Sequence, residues 1–272
     1  MEADELGALA ANPQFIPGIY NYCDRWCERC ALSHRCLSYA MERTEDDGDS
    51  EARDLSNQKF WDKLHRQFQA TIEMVRADAK ARGIDLDEPS LRADVIAQER
   101  AERRRAAKNL PLARAAINYA NAAGEWFKHA APVFKAKALE FETLARLETG
   151  NPEGEAAEIA EFVDVIRWYQ HFIYVKLSRA IESRANEELE TDEEMKKFPK
   201  DSDGTAKIAL IAMDRSIAAW SGLRAALGGI DDILDLLAQL AAIRRETEKL
   251  FPQARAFVRP GFDESLNLAA RG

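Results

Sequence analysis

The sequence predicts an all-α protein: a bundle of five to six long helices with a short N-terminal metal-binding segment that carries four cysteines. Three observations predict it. Ala, Leu, Glu and Arg dominate beyond residue 55, and no β-branched run alternates with the two-residue period of a strand. Apolar side chains recur at three- and four-residue steps, as in Phe60, Leu64, Phe68, Ile72 and Val75. Finally, Gly83, Pro111, Pro132, Gly150, Pro152, Gly228, Gly229 and Pro252 fall where helices of ordinary length start or stop. Helices joined by short or acidic loops pack most simply as a bundle, and no fixed repeat suggests a solenoid.

The first long helix is expected from an N-cap at Ser56 to Gly83 at its C′ position. Residues 84–89 read as a turn, and Ser90 to about Asn109 as a second, strongly charged helix. Pro111 suits the first turn of the next, which runs to about Ala130. Pro132 kinks or restarts it, and the continuation reaches Leu147. From Glu155 to about Asn186, apolar side chains occupy nearly every face between Ile159 and Leu177, the pattern of a helix surrounded by others. An acidic loop leads to a similar helix over Thr205–Leu227, then to an amphipathic one over Ile230–Phe251. The chain thus divides into a cysteine segment (1–45), an acidic linker (46–55), the bundle (56–252) and an irregular tail (253–272).

The 46% hydrophobic and 31% charged residues are ordinary for a soluble globular protein, and no apolar run could span a bilayer. The acidic N-terminus lacks the basic and apolar regions of a signal peptide, so a cytoplasmic chain with reduced thiols is expected. A net charge of −9 argues against nucleic acid as a partner and leaves a protein or redox partner. The basic run Arg100–Lys108 reads as a solvated helix face, with a docking patch for an acidic partner as the alternative.

Chemistry points to one place. All four cysteines, Cys23, Cys27, Cys30 and Cys36, lie within CDRWCERCALSHRC, and the rest of the 272-residue chain has none. The spacing C-x3-C-x2-C-x5-C is that of a metal or iron–sulfur ligand set. If the segment around Cys23–Cys30 is helical, those three thiols share one face and Cys36 comes from the following turn. Zinc needs its sulfurs closer than such a helix allows, whereas a cluster accepts a wider spread. A 4Fe-4S cluster is therefore the first expectation and Zn2+ the alternative. His34 could replace one ligand, and Tyr20, Tyr22 and Trp26 would dock the segment or shield the centre.

The stretch Cys27-Glu-Arg-Cys30-Ala-Leu-Ser-His-Arg-Cys36 resembles the C-x2-C-x5-C element of two iron–sulfur families, the SPASM extensions of radical enzymes and the iron–sulfur staple of RecB-like nucleases. The resemblance covers ten residues and implies Cys27, Cys30 and Cys36 as cluster ligands. In those nucleases the remaining cysteine lies far upstream, whereas Cys23 here is adjacent, and no nuclease motif is present. Cys23, Cys27 and Cys30 are also spaced like the radical-SAM signature, but the strands of its barrel are missing.

A third expectation concerns the two most apolar helices. Asp164 and His171 share one face of the first, Asp214 lies on the second, and Trp168, Tyr169 and Trp220 could complete a polar pocket for catalysis or small-molecule binding. The bland alternative is that Asp164, Arg167, Lys176, Arg179 and Asp214 pair as buried ions. Glu125 and His129 share a face too, but no Glu-x-x-His element supports a dinuclear site. Phosphate-loop, dinucleotide-binding, zincin and nucleophile-elbow motifs are missing. The readings in order are a redox, electron-transfer or sensing protein on a cluster, a zinc-stapled adaptor, and a bundle enzyme.

Overall fold

In the computed structural model, residues 3–44, 51, 54–86 and 93–263 are described; the expected linker, the start at Ser90 and the end of the tail fall largely outside them. The described residues form nine α-helices and no strand: α1 (Ala3–Ala10), α2 (Leu37–Thr44), α3 (Gln58–Ala81), α4 (Ala93–Asn109), α5 (Pro111–His129), α6 (Ala131–Arg146), α7 (Pro152–Glu188), α8 (Asp201–Ala226) and α9 (Asp232–Leu250). They divide into two compact units, one of residues 1–98 with 259–272 and one of residues 99–258. The division falls within α4.

Local chemistry accounts for most boundaries. Asn57, not Ser56, caps α3, its side-chain oxygen accepting from the Lys59 amide; Ser56 instead hydrogen-bonds Asp54. Gly83, at φ 72°, closes the helix as expected. Pro132 restarts the chain, so that Ala130 ends α5 and begins α6. α7 starts earlier than expected because Asn151 caps it through the Gly154 amide with Pro152 in the first turn. α8 also starts earlier, at Asp201, because its first turn is capped from outside: Glu187 at the end of α7 accepts from the Ser202 amide and hydroxyl at 2.8 and 2.6 Å. Asp201 adds bonds to Arg179 and Ser183.

In residues 99–258, α8 is the central helix. It packs along α7 and against α9, while α5 packs on α7 and α9, and α6 on α7. Gly204, Ala206, Ala209, Ala212, Ala219 and Gly222 let its neighbours approach closely. Gly222 is the tightest place: a β-carbon there would lie 2.3 Å from the Phe162 ring of α7. Beside it, Trp220 is fully buried, donates to the Tyr119 hydroxyl at 2.9 Å, and meets Trp126 edge-to-face at 5.0 Å.

α7 is not surrounded on all sides as its sequence suggested. Ile159, Ile166, Tyr169, Ile173, Leu177 and Ile181 form its buried line, while Asp164, Arg167, Trp168, His171 and Val175 face solvent. Trp168 and Val175 made an amphipathic helix look apolar all round. The basic run on α4 is likewise only partly solvated: Arg103 donates to Asn186 and Arg104 to Glu182, holding α4 on α7.

The apolar stripe of α3 departs most from expectation. Phe68, Ile72 and Val75 are exposed instead of buried in a core, and Ala70 is buried on another side of the helix. In the same unit, α1 packs on α3 and α2, and Gly261, at φ 75°, seats the chain beyond α9 on Ile16 and Ile19.

Replacing Gly222 by Ala is expected to lower stability. The clash with Phe162 outweighs the ~1 kcal/mol that Ala gains over Gly within a helix. Thermal melts of Gly222→Ala and of Gly222→Ala/Phe162→Ala check this: the double variant should lose less than the sum of the two single variants.

Candidate metal centre

The cysteine segment is built from turns. Gly18, at φ 73°, enters a single 3-10 turn over Ile19–Asn21, and the Cys23 thiol lies 3.6 Å from the Tyr20 carbonyl oxygen. The Asp24 carboxylate then accepts from the Trp26 amide, closing an Asx turn around Arg25, whose φ of 59° is left-handed. That residue rules out a continuous helix from Cys23 to Cys30. A second single turn covers Cys27–Arg29 and a third Ser33–Arg35; Cys30 and Cys36 follow them in extended conformation. The Cys36 carbonyl accepts from Ala40 as α2 begins.

The expected helical face of three thiols is therefore absent: Cys27 and Cys30 share one tight turn, and Cys23 sits on a separate piece of backbone before Arg25. Cys36 does come from a turn. With the helix goes the geometric argument that favoured a cluster over zinc, since thiols on turns are not spread along a helix axis. The Cys30 amide donates to the Cys27 carbonyl at 3.2 Å, giving the C-x2-C pair the tight turn of a metal knuckle.

All four thiols are half-buried and form no disulfide. Burial pushes the Cys27 thiol up to about 11, and Glu42, Cys23, Cys36 and Glu28 push in the same direction through their charge. Cys27 thus lies within electrostatic range of two other cysteines. The donor set suits zinc or an iron–sulfur cluster, although among the described residues no three His, Cys, Asp or Glu side chains are gathered closely enough to hold a metal ion. Single turns can draw thiols together by side-chain rotation more readily than one rigid helix could.

The flanks fix the segment in place. Arg25 donates to Ser38 of α2, and Arg35 to the Gln14 carbonyl, while the Ile16 amide donates back to Arg35. Arg29 covers the Trp26 ring at 3.8 Å. Trp26, Tyr20 and Tyr22 are half-buried and His34 is exposed.

The bundle candidates do not form a protected pocket. Asp164 and His171 face solvent, Tyr169 and Trp220 lie in the core, and Trp168 is on the outer face of α7. Asp214 is half-exposed and bound to Arg255 at 2.5 Å and Arg244 at 3.1 Å. Of the expected buried ion pairs, Asp214 and Arg179 are paired, but at the surface; Arg179 binds Asp201. Arg167 lies over the Phe127 ring, and buried Lys176 over Phe172. His129 meets the Glu125 backbone carbonyl, not its carboxylate. An apolar groove of about 760 Å³ does exist between α5, α7 and α9, with Leu112, Ala115, Ile181, Ile243 and Leu250 on its walls, but none of the pocket candidates lines it. Nothing in the sequence pattern had singled it out.

No described helix is long and apolar enough to cross a membrane. Comparison with family models, with curated proteins and with solved structures finds no match for the chain.

Two stability outcomes are expected. Asp214→Asn should weaken the attachment of the Ala254–Ala256 turn to α8 and cost about 1 kcal/mol by denaturant titration, the upper range for a partly exposed pair. Asp203, in the first turn of α8, is held above the usual carboxylate range by burial and then by Glu187. A carboxyl raised on folding disfavours the native state once it ionises. Asp203→Asn is therefore expected to melt higher than the parent at neutral pH, the difference closing as pH falls below the ordinary carboxylate range.

Proposed function

We propose that Cys23, Cys27, Cys30 and Cys36 hold a 4Fe-4S cluster and that the protein has a redox, electron-transfer or sensing role. One observation carries the reading: every cysteine of the chain lies on or just after one of three successive turns, half-buried, with Cys27 within electrostatic range of Cys23 and Cys36. A bound cluster would supply one-electron chemistry. The resemblance of Cys27–Cys36 to iron–sulfur elements supports the choice of metal. Arg25 and Arg35, anchored to Ser38 and Gln14, hold the segment's ends while the thiols converge. A redox partner fits this role, as does a cytoplasmic location that keeps the thiols reduced.

The knuckle-like Cys27–Cys30 turn favours a second reading, a zinc-stapled adaptor without catalysis. The exposed positions of Asp164 and His171 leave a bundle enzyme without support.

One measurement separates the first two. Chain purified without oxygen should be brown, with about four iron and four sulfide per molecule. Colourless protein with one zinc per chain overturns the cluster and supports the staple. Under either reading Cys27→Ser should abolish the metal stoichiometry, and retention refutes four-cysteine ligation.

A further inference from the structure

Of the α3 stripe that its sequence marks as core, Phe68, Ile72 and Val75 are in the open and Phe60 and Leu64 are half-buried, while Trp61 extends the open part. Trp61, Phe68, Ile72 and Val75 are exposed and Leu64 is half-exposed, with Phe68 59% and Val75 54% accessible. At about 100° per residue these five side chains share one stripe. Over residues 61–75 the covered side of α3, marked by Lys63, Gln67, Ala70 and Met74, lies roughly 130° around the helix from that stripe; one turn beyond Val75, Ala79 is buried on the stripe's own side. α3 therefore packs on its own unit through small and amphipathic side chains and presents its large apolar ones outward. Scattered apolar side chains need no explanation, but an aligned row of two aromatics and three aliphatics, roughly 21 Å long, does.

The row carries its own symmetry. The steps from Trp61 to Leu64, Phe68, Ile72 and Val75 are three, four, four and three residues, the same in both directions. If a two-fold axis passes beside Phe68, the α3 of a second copy runs antiparallel, so that Phe68 meets its own counterpart, Leu64 meets Ile72 of the second copy, and Trp61 meets Val75. Such an axis places each flank of the stripe against the same flank of the other copy. On one flank, Asp62 lies six residues before Phe68 and Arg76 eight after it, so each Asp62 falls opposite the Arg76 of the other copy. The Asp62 carboxylate is already oriented by a bond from Gln58 at 2.9 Å, and neither Asp62 nor Arg76 has an ion partner among the described residues. A parallel pair would not bring these two charges together.

We infer that the exposed stripe of α3 is a homodimer interface, closed by α3 of a second copy running antiparallel, with Phe68 at the two-fold axis and reciprocal Asp62–Arg76 pairs at its edge. The pairing is independent of what the cysteines bind.

The test is the mass of the full-length chain by sedimentation equilibrium across a range of concentrations, with circular dichroism to verify the fold of each variant. The parent should dimerise. Phe68→Glu, which adds a charge at an exposed position, should raise the dissociation constant at least ~100-fold with helix content unchanged, as loss of a central anchor does. Asp62→Arg alone should weaken association about tenfold, and Asp62→Arg/Arg76→Asp should restore most of it. Three results overturn the inference. They are a monomeric parent, a Phe68→Glu variant that still dimerises, and a double charge exchange no stronger than Asp62→Arg alone. A monomeric parent destabilised by Phe68→Glu would show that another part of the same chain covers the stripe.

Discussion

The close lengthwise pairing of α7 with α8 governs the unit formed by residues 99–258. Helices usually pack 8–10 Å apart, the distance depending on the side chains between them. Here α8 offers glycine and alanine along its length, and the Phe162 ring lies where a β-carbon of residue 222 would be. The near end of the pairing is polar. Glu187, Arg179 and Ser183 of α7 take up the first turn of α8, whose preceding residue, Lys200, supplies no cap. With these two helices in register, α5 and α9 have a defined surface to cover, and the Trp220–Tyr119 bond joins α8 to α5 inside the aromatic cluster.

The fold class was legible in the residues, and so were most helices. Pro111, Pro132 and Gly83 act as their local chemistry requires. Errors arose where a competing neighbour or a tertiary partner overrides the expected local signal. Ser56 resembles an N-cap, but Asp54 engages it and Asn57 takes the role. The start of α8 could not be read because its capping carboxylate belongs to another helix. Trp168 and Val175 pass for core residues in any count of apolar positions, and only the packing of α7 shows them outward.

The candidate metal centre was legible as four clustered cysteines but not as a shape. Cysteine spacing identifies four thiols that can act together, yet the helix assumed between Cys23 and Cys30 is interrupted by Arg25 in a left-handed conformation, which Asp24 stabilises through the Trp26 amide. Asp-Arg is not a turn signal of the strength of Asn-Gly, so the interruption has no strong local marker. The four thiols remain on neighbouring stretches of backbone whichever conformation links them. What changes is the balance between zinc and a cluster, because helix geometry no longer weighs against the smaller ion.

The seating of Gly261 on Ile16 and Ile19 has a consequence for the order of events during synthesis. The flank of the cysteine segment is completed by Gly261, so it stays open on the ribosome until that residue has been made. Residues 99–258 meet no such delay and can fold as they emerge. The thiols therefore leave the exit tunnel well before residue 261 can close the flank beside them. Over that interval, the exposure of the flank to the surroundings is set by translation speed and not by the stability of the folded protein.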